Sequence, residues 1–211
     1  MTKEVQVNYQ HTGRYFTFGN PDKACTLLIA LHGYSQLPEY FIRKFHFLDP
    51  DKYYVICPEG PHRFYREGTS GRVGASWMTK EDRLNDIKNY IRLLDAVAES
   101  IDADHHFNRR ILLGFSQGGA TASRWIGYGN TPFNEFILWA AVFPPDMDDT
   151  VKQNFYATQN HMVIGDSDEF STVEKAKEYH QKLSKEGMKF AFHTFKGNHD
   201  LNKELLYKLV I

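Results

Sequence analysis

This sequence offers little for cross-linking, membrane insertion or metal capture. Only two cysteines, Cys25 and Cys57, occur in 211 residues, too few for a disulfide-stapled scaffold. Both lie in apolar, strand-like segments and read as reduced core thiols. No run approaches the ~18 consecutive apolar residues of a membrane-spanning helix. Met1–Gln6 has no apolar core of the signal-peptide kind, so a cytoplasmic protein is expected. The formal net charge of -1 gives neither nucleic acid nor an anionic membrane a basic surface to bind. No glycine loop for phosphate is present. Asp102-Ala103-Asp104-His105-His106 lacks metalloenzyme spacing and reads as a solvated helix end. Neither a metal nor a cofactor is expected.

What is present is an ordinary globular composition, 42% hydrophobic and 24% charged, with no repeat and no linker, so a single domain over 1–211 is expected. Strand and helix patterns alternate along it. Val5–Tyr9 and Tyr15–Phe18 alternate in polarity around Thr12-Gly13, which predicts an antiparallel edge hairpin. Thr26–Leu31 and Tyr53–Cys57 are short apolar runs of the kind buried on both faces of a sheet. Leu84, Ile87, Ile91, Leu94, Val97 and Ile101 recur at spacings of three and four, predicting a helix from about Lys80 to Ile101. Further strands are expected at Ile111–Phe115, Phe136–Ala140, Met162–Ile164 and Lys189–Phe195. Helices are expected over Gln117 to about Tyr128, Val173–Lys185 and Asn202–Leu209. Such alternation predicts a mainly parallel sheet with helices on both faces, its chemistry at the carboxyl ends of the strands.

At one such end stands Gly114-Phe115-Ser116-Gln117-Gly118-Gly119, between an apolar strand and a helix. This is the context of the nucleophile elbow of α/β-hydrolases. The sharp turn demands tiny residues two before and two after the serine, and Gly114 and Gly118 supply them. A serine nucleophile needs an imidazole to take its proton and a carboxylate to orient that imidazole. In this fold the chain order is serine, acid, histidine. Of the histidines after Ser116, only His199 follows the last strand in a loop. His161 opens a strand, His180 lies in a charged helix and His193 sits mid-strand. Gly165-Asp166-Ser167-Asp168-Glu169 offers the acid. Asp168, three beyond the glycine, is preferred, with Asp166 the runner-up. Two amides would hold the oxyanion: that of Gln117, and that of Tyr34 in Leu31-His32-Gly33-Tyr34-Ser35-Gln36.

These residues carry a resemblance. The Gly-Phe-Ser-Gln-Gly-Gly elbow, Leu31-His32-Gly33 and Ala75-Ser76-Trp77 resemble the phospholipase/carboxylesterase family of α/β-hydrolases, which includes the acyl-protein thioesterases. Ser35-Gln36 stands where members usually have Gly-Asp, Met78-Thr79 replaces Phe-Asp, and Glu169 replaces the proline after the acid. The resemblance implies a serine-dependent carboxylesterase without a cofactor. Its expected partner is a small ester or thioester, and a homodimer is left open. Acyl-thioesterase or lysophospholipase activity is the neighbouring alternative. A non-catalytic binding module on the same scaffold is the alternative of another class. The stretch from Phe143 to His161 is too short for a lid domain. Trp77, Phe64 and Phe170 are the expected substrate-binding side chains, although Trp77 could equally anchor its loop to the core.

Overall fold

A computed structural model describes all residues from Met1 to Ile211. Nine strands are present: β1 (Tyr15–Phe18), β2 (Thr26–Leu31), β3 (Tyr53–Pro58), β4 (His62–Glu67), β5 (Ser70–Ser76), β6 (Arg109–Phe115), β7 (Glu135–Trp139), β8 (Gln159–Gly165) and β9 (Ala191–Phe195). Six α-helices accompany them: α1 (Pro38–Phe41), α2 (Arg83–Asp102), α3 (Gln117–Tyr128), α4 (Asp149–Lys152), α5 (Val173–Lys185) and α6 (Lys203–Val210). Seven strands form one sheet in the order β1-β3-β2-β6-β7-β8-β9, parallel except for β1. This is the α/β-hydrolase architecture, with no large extra domain.

The two-residue period of a strand explains how the sheet is covered. Along β2, Leu27, Ile29 and Leu31 face one apolar layer, packed with α2 and α3. Leu28 and Ala30 face the other, with α1, Phe45 and α6. Ile111 and Leu113 of β6 point into that second layer and Leu112 into the first. Strands buried on both faces must be apolar at every position, which is why β2, β6 and β7 show as continuous runs. A buried carboxylate ties the helices of the first layer together. Asp95 on α2 accepts hydrogen bonds from Trp125 Nε1 at 2.7 Å, the Asn130 amide at 3.1 Å and Thr131 Oγ1 at 3.2 Å. Its full set of donors offsets the cost of burying the charge.

Four expectations need correction. There is no N-terminal hairpin: residues 1–14 contain no strand, and β1 pairs antiparallel with β3 instead. Phe16 and Phe18 pack against the core, whereas Val5, Val7 and Tyr9 bury nothing, so alternation there had no face to cover. Helix α2 begins at Arg83, after Asp82 turns left-handed at φ 46°, and Leu84 in its first turn is 65% exposed. Cys25 is exposed one residue ahead of β2, so only Cys57 is a core thiol, its pKa pushed up by burial; neither forms a disulfide. The segment after Pro58, where no strand was expected, holds the β4–β5 hairpin, a two-stranded sheet of its own.

Candidate active site

Because β2, β6, β8 and β9 run parallel, their carboxyl ends share one edge of the sheet. Each delivers a piece of the site there. β6 delivers Ser116. Its backbone is strained, with a positive φ of 54° and ψ −120°, and Gln117 follows as the first residue of α3. The closeness of the turn is visible at Gly118, where an added Cβ would lie 2.3 Å from the Leu31 carbonyl oxygen. The first N–H groups of a helix lack intrahelical acceptors. The Gln117 amide is therefore a free donor beside the serine, at the helix end that favours negative charge.

The residues expected as acid and base follow β8 and β9. Asp168 Oδ2 lies 2.7 Å from His199 Nδ1, with the carboxylate side chain only 1% exposed. The amides of Phe170 and Ser171 donate to Asp168 Oδ1 at 2.9 and 3.2 Å. A carboxylate accepting from Nδ1 requires the proton there, which leaves the Nε2 lone pair free. The Glu169 carboxylate accepts the His199 backbone N–H at 3.2 Å. Asp166, the runner-up, is turned elsewhere. It accepts the Gly197 amide and the Ser167 hydroxyl, both at 3.0 Å, and these bonds hold its pKa below the usual carboxylate value. The His199 ring lies 5.0 Å from that of Phe115, the residue before the serine. No hydrogen bond joins the Ser116 hydroxyl to the imidazole here; in ligand-free enzymes that contact is often long and closes around substrate.

β2 delivers the turn Gly33–Gln36. Under it, His32 is fully buried. The Gly60 N–H donates to His32 Nε2 at 3.0 Å, and His32 Nδ1–H donates to the Gly33 carbonyl at 2.8 Å. Burial lowers the His32 pKa to about 4, so the ring is neutral. Trp77 is fully buried and offers no surface to a ligand. Its indole N–H donates to the His32 carbonyl at 2.8 Å, making it an anchor of this turn rather than a wall of the pocket. The Gln117 side chain grips the same segment, accepting from the Trp77 amide at 3.1 Å and donating to the Met78 carbonyl at 2.8 Å. Sequence patterns did not reveal this second contribution of Gln117.

The rim is aromatic and open. The Tyr34 and Phe64 rings stack at 5.2 Å, Phe64 coming from β4. Phe170 is 76% exposed and meets the His199 ring edge-on at 4.5 Å. Two hollows, about 270 Å³ beside Arg14 and Glu59 and about 460 Å³ beside Lys44 and Phe47, are lined by none of Ser116, Asp168 and His199. His193, mid-strand on β9, contacts His161 of β8 at 3.0 Å, away from Ser116, Asp168 and His199.

A family model described as serine hydrolase (FSH1) matches residues 23–204. The chain belongs to that serine hydrolase family. No curated protein matches it, but many solved structures do. Esterase PE8 is 21% identical with a TM-score of 0.67, covering 94% of this chain and 95% of its own. Zea mays acyl-protein thioesterase 2 is 17% identical with a TM-score of 0.69, covering 94% and 96%. The Bacillus cereus carboxylesterase is 16% identical with a TM-score of 0.62, covering 93% and 91%. At such identities the likeness is one of fold. This FSH1-type serine hydrolase is thus an enzyme of the hydrolase kind on a carboxylesterase-like scaffold. No helix is long and apolar enough to cross a membrane.

Proposed function

We propose that the chain hydrolyses carboxylic esters of short to medium acyl length through an acyl-enzyme on Ser116, within a single domain. One observation carries the reading: a buried carboxylate–imidazole pair, Asp168 and His199 at 2.7 Å, stands at the same sheet edge as Ser116 with its positive φ. Ser116 Oγ attacks the ester carbonyl while His199 Nε2 takes its proton. The oxyanion forms against the Tyr34 and Gln117 amides, and the proton then passes to the departing alcohol. Water repeats the sequence on the acyl-enzyme and releases the acid. Asp168 steadies the imidazolium in both halves. Preorganised amides typically lower such barriers by several kcal/mol. Tyr34, Phe64 and Phe170 supply an apolar rim for the acyl or alcohol part.

A panel of p-nitrophenyl esters from acetyl to palmitoyl, with acyl-thioesters and peptides alongside, tests the substrate class. We expect kcat/KM to rise to butyryl or hexanoyl and then flatten, since each buried methylene favours binding by up to ~0.8 kcal/mol until the rim is covered. Palmitoyl-thioester turnover well above that of butyryl esters would move the enzyme to the thioesterase reading. Failure of Ser116 to take a fluorophosphonate label would favour a binding module. Asp168→Asn should lower kcat by about 10³–10⁴-fold, whereas Asp166→Asn should leave it nearly unchanged. Equal losses in the two variants would remove Asp168 from its role.

A further inference from the structure

The turn after β2 is closed by one of its own residues, through its side chain and its backbone. Gln36 is half-buried, and it closes on Gly33 twice. The Gly33 N–H donates to Gln36 Oε1 at 2.8 Å, and the Gln36 N–H donates to the Gly33 carbonyl at 3.2 Å. We propose that Gln36 is a positioning residue for the oxyanion hole, clasping Gly33 so that the Tyr34 N–H faces Ser116. This rests on reading Ser116 as nucleophile and Tyr34 as oxyanion donor.

Four amides occupy the turn, and three are engaged. Gly33 donates to Gln36 Oε1, Ser35 to the Ala75 carbonyl at 2.9 Å, and Gln36 to Gly33. Only the Tyr34 N–H has no acceptor in the chain. In a planar trans peptide the C=O and the following N–H point in opposite directions. The Gly33 carbonyl is drawn to two donors, the Gln36 amide and His32 Nδ1, so the Tyr34 N–H is aimed away from both. The serine lies close by, because a Cβ on Gly33 would stand 3.2 Å from Ser116 Cβ. The turn does not hold itself, for Ser35 sits at φ 65°, a region costly for any residue but glycine. His32 Nδ1 and the Gln36 backbone N–H hold the carbonyl, and the Gln36 side chain alone holds the Gly33 amide, so one side chain at the exposed edge closes the turn that aims the donor.

The test compares wild type with Gln36→Met, which fills the same space without an acceptor, and with Gln36→Ala. It reads kcat, KM and the inhibition constant of an alkyl trifluoromethyl ketone. That ketone adds the serine oxygen to its carbonyl, the serine proton passes to His199, and the hemiketal oxyanion occupies the hole. With the donor misaimed, we expect kcat to fall about tenfold or more in both variants and KM to stay within about twofold. Ketone affinity should weaken by the same factor as kcat/KM. Thermal melts of both variants should remain cooperative, and if one of them fails to fold, the other is read. Unchanged kcat, a loss confined to KM, or a fall in kcat with ketone affinity intact would each overturn the proposal. Wild-type enzyme that neither turns over esters nor forms the adduct would overturn the underlying reading, and the role of Gln36 with it.

Discussion

In the proposed mechanism the elbow at Ser116 and the turn at Gly33–Gln36 do the same job, each placing an amide beside the reacting carbonyl, yet they are built differently. The elbow is held by backbone pressed on backbone. A Cβ on Gly114 would come within 2.5 Å of the Gly118 carbonyl, and one on Gly118 within 2.3 Å of the Leu31 carbonyl. The turn is held by hydrogen bonds, backbone ones to Ala75 and side-chain ones from Gln36 and His32 on Gly33 and from Trp77 on His32. Steric closeness tolerates no substitution and little motion, whereas side-chain bonds can be exchanged one at a time. One donor is therefore rigid by construction, and the other is tunable.

The contrast breaks most sharply at Gly118. Gly118→Ala forces the helix off the end of β2, and overpacking of this kind typically costs about 1–3 kcal/mol. Activity should fall by about a hundredfold or more, since small misplacements at reacting groups are that costly, and the melting temperature should drop with it. Near-wild-type turnover would mean the elbow is looser than its glycines imply.

A second experiment separates the two devices by pH. His32 takes up its proton near 6.5 in the unfolded chain, but burial holds it down to about 4 in the fold. Between those values the unfolded chain binds more protons, so stability falls as pH drops through that window, by about 3 kcal/mol at most. His161 and His193 are also lowered by burial and act in the same direction. Urea unfolding at pH 7 and pH 4.5 should show this loss, and equal stability at both would place His32 in a wetter setting. The elbow has no titrating group and should contribute nothing to it.

The smallest effect belongs to Ser35→Gly. Glycine removes the left-handed penalty but adds freedom to the unfolded chain, leaving a net gain of about 0.5 kcal/mol. A slightly higher melting temperature with unaltered kcat would show that the clasp, not the strain, aims the Tyr34 amide.

This difference in construction also explains what could be read from the sequence. Backbone contact leaves glycines at set spacings, so Gly114, Ser116 and Gly118 announced the elbow, and continuous apolar runs announced β2, β3 and β6. Chain order and loop address narrowed the acid and base to residues that the structure brings together at 2.7 Å. The hairpin β4–β5 was invisible because Arg63, Tyr65, Arg66 and Glu67 are all exposed and show no apolar face. Val5–Tyr9 misled for the opposite reason, having alternation without a partner strand. The work of Gln36 and the burial of Trp77 depend on contacts between segments far apart in the chain, which no local pattern encodes.

The hairpin that supplies Phe64 belongs to neither apolar layer. Its ladder pairs only its own two strands, and it is joined to the rest of the site through the Gln36–Ala75 bridge and the Tyr34–Phe64 stack. Its tip, Glu67 to Gly71, lies in solvent. Insertions and deletions at that tip should therefore leave the folding of the sheet untouched while shifting the Phe64 that the proposed function places at the substrate entrance. For directed evolution this is the segment to randomise: libraries there should retain solubility and sort variants by substrate choice alone.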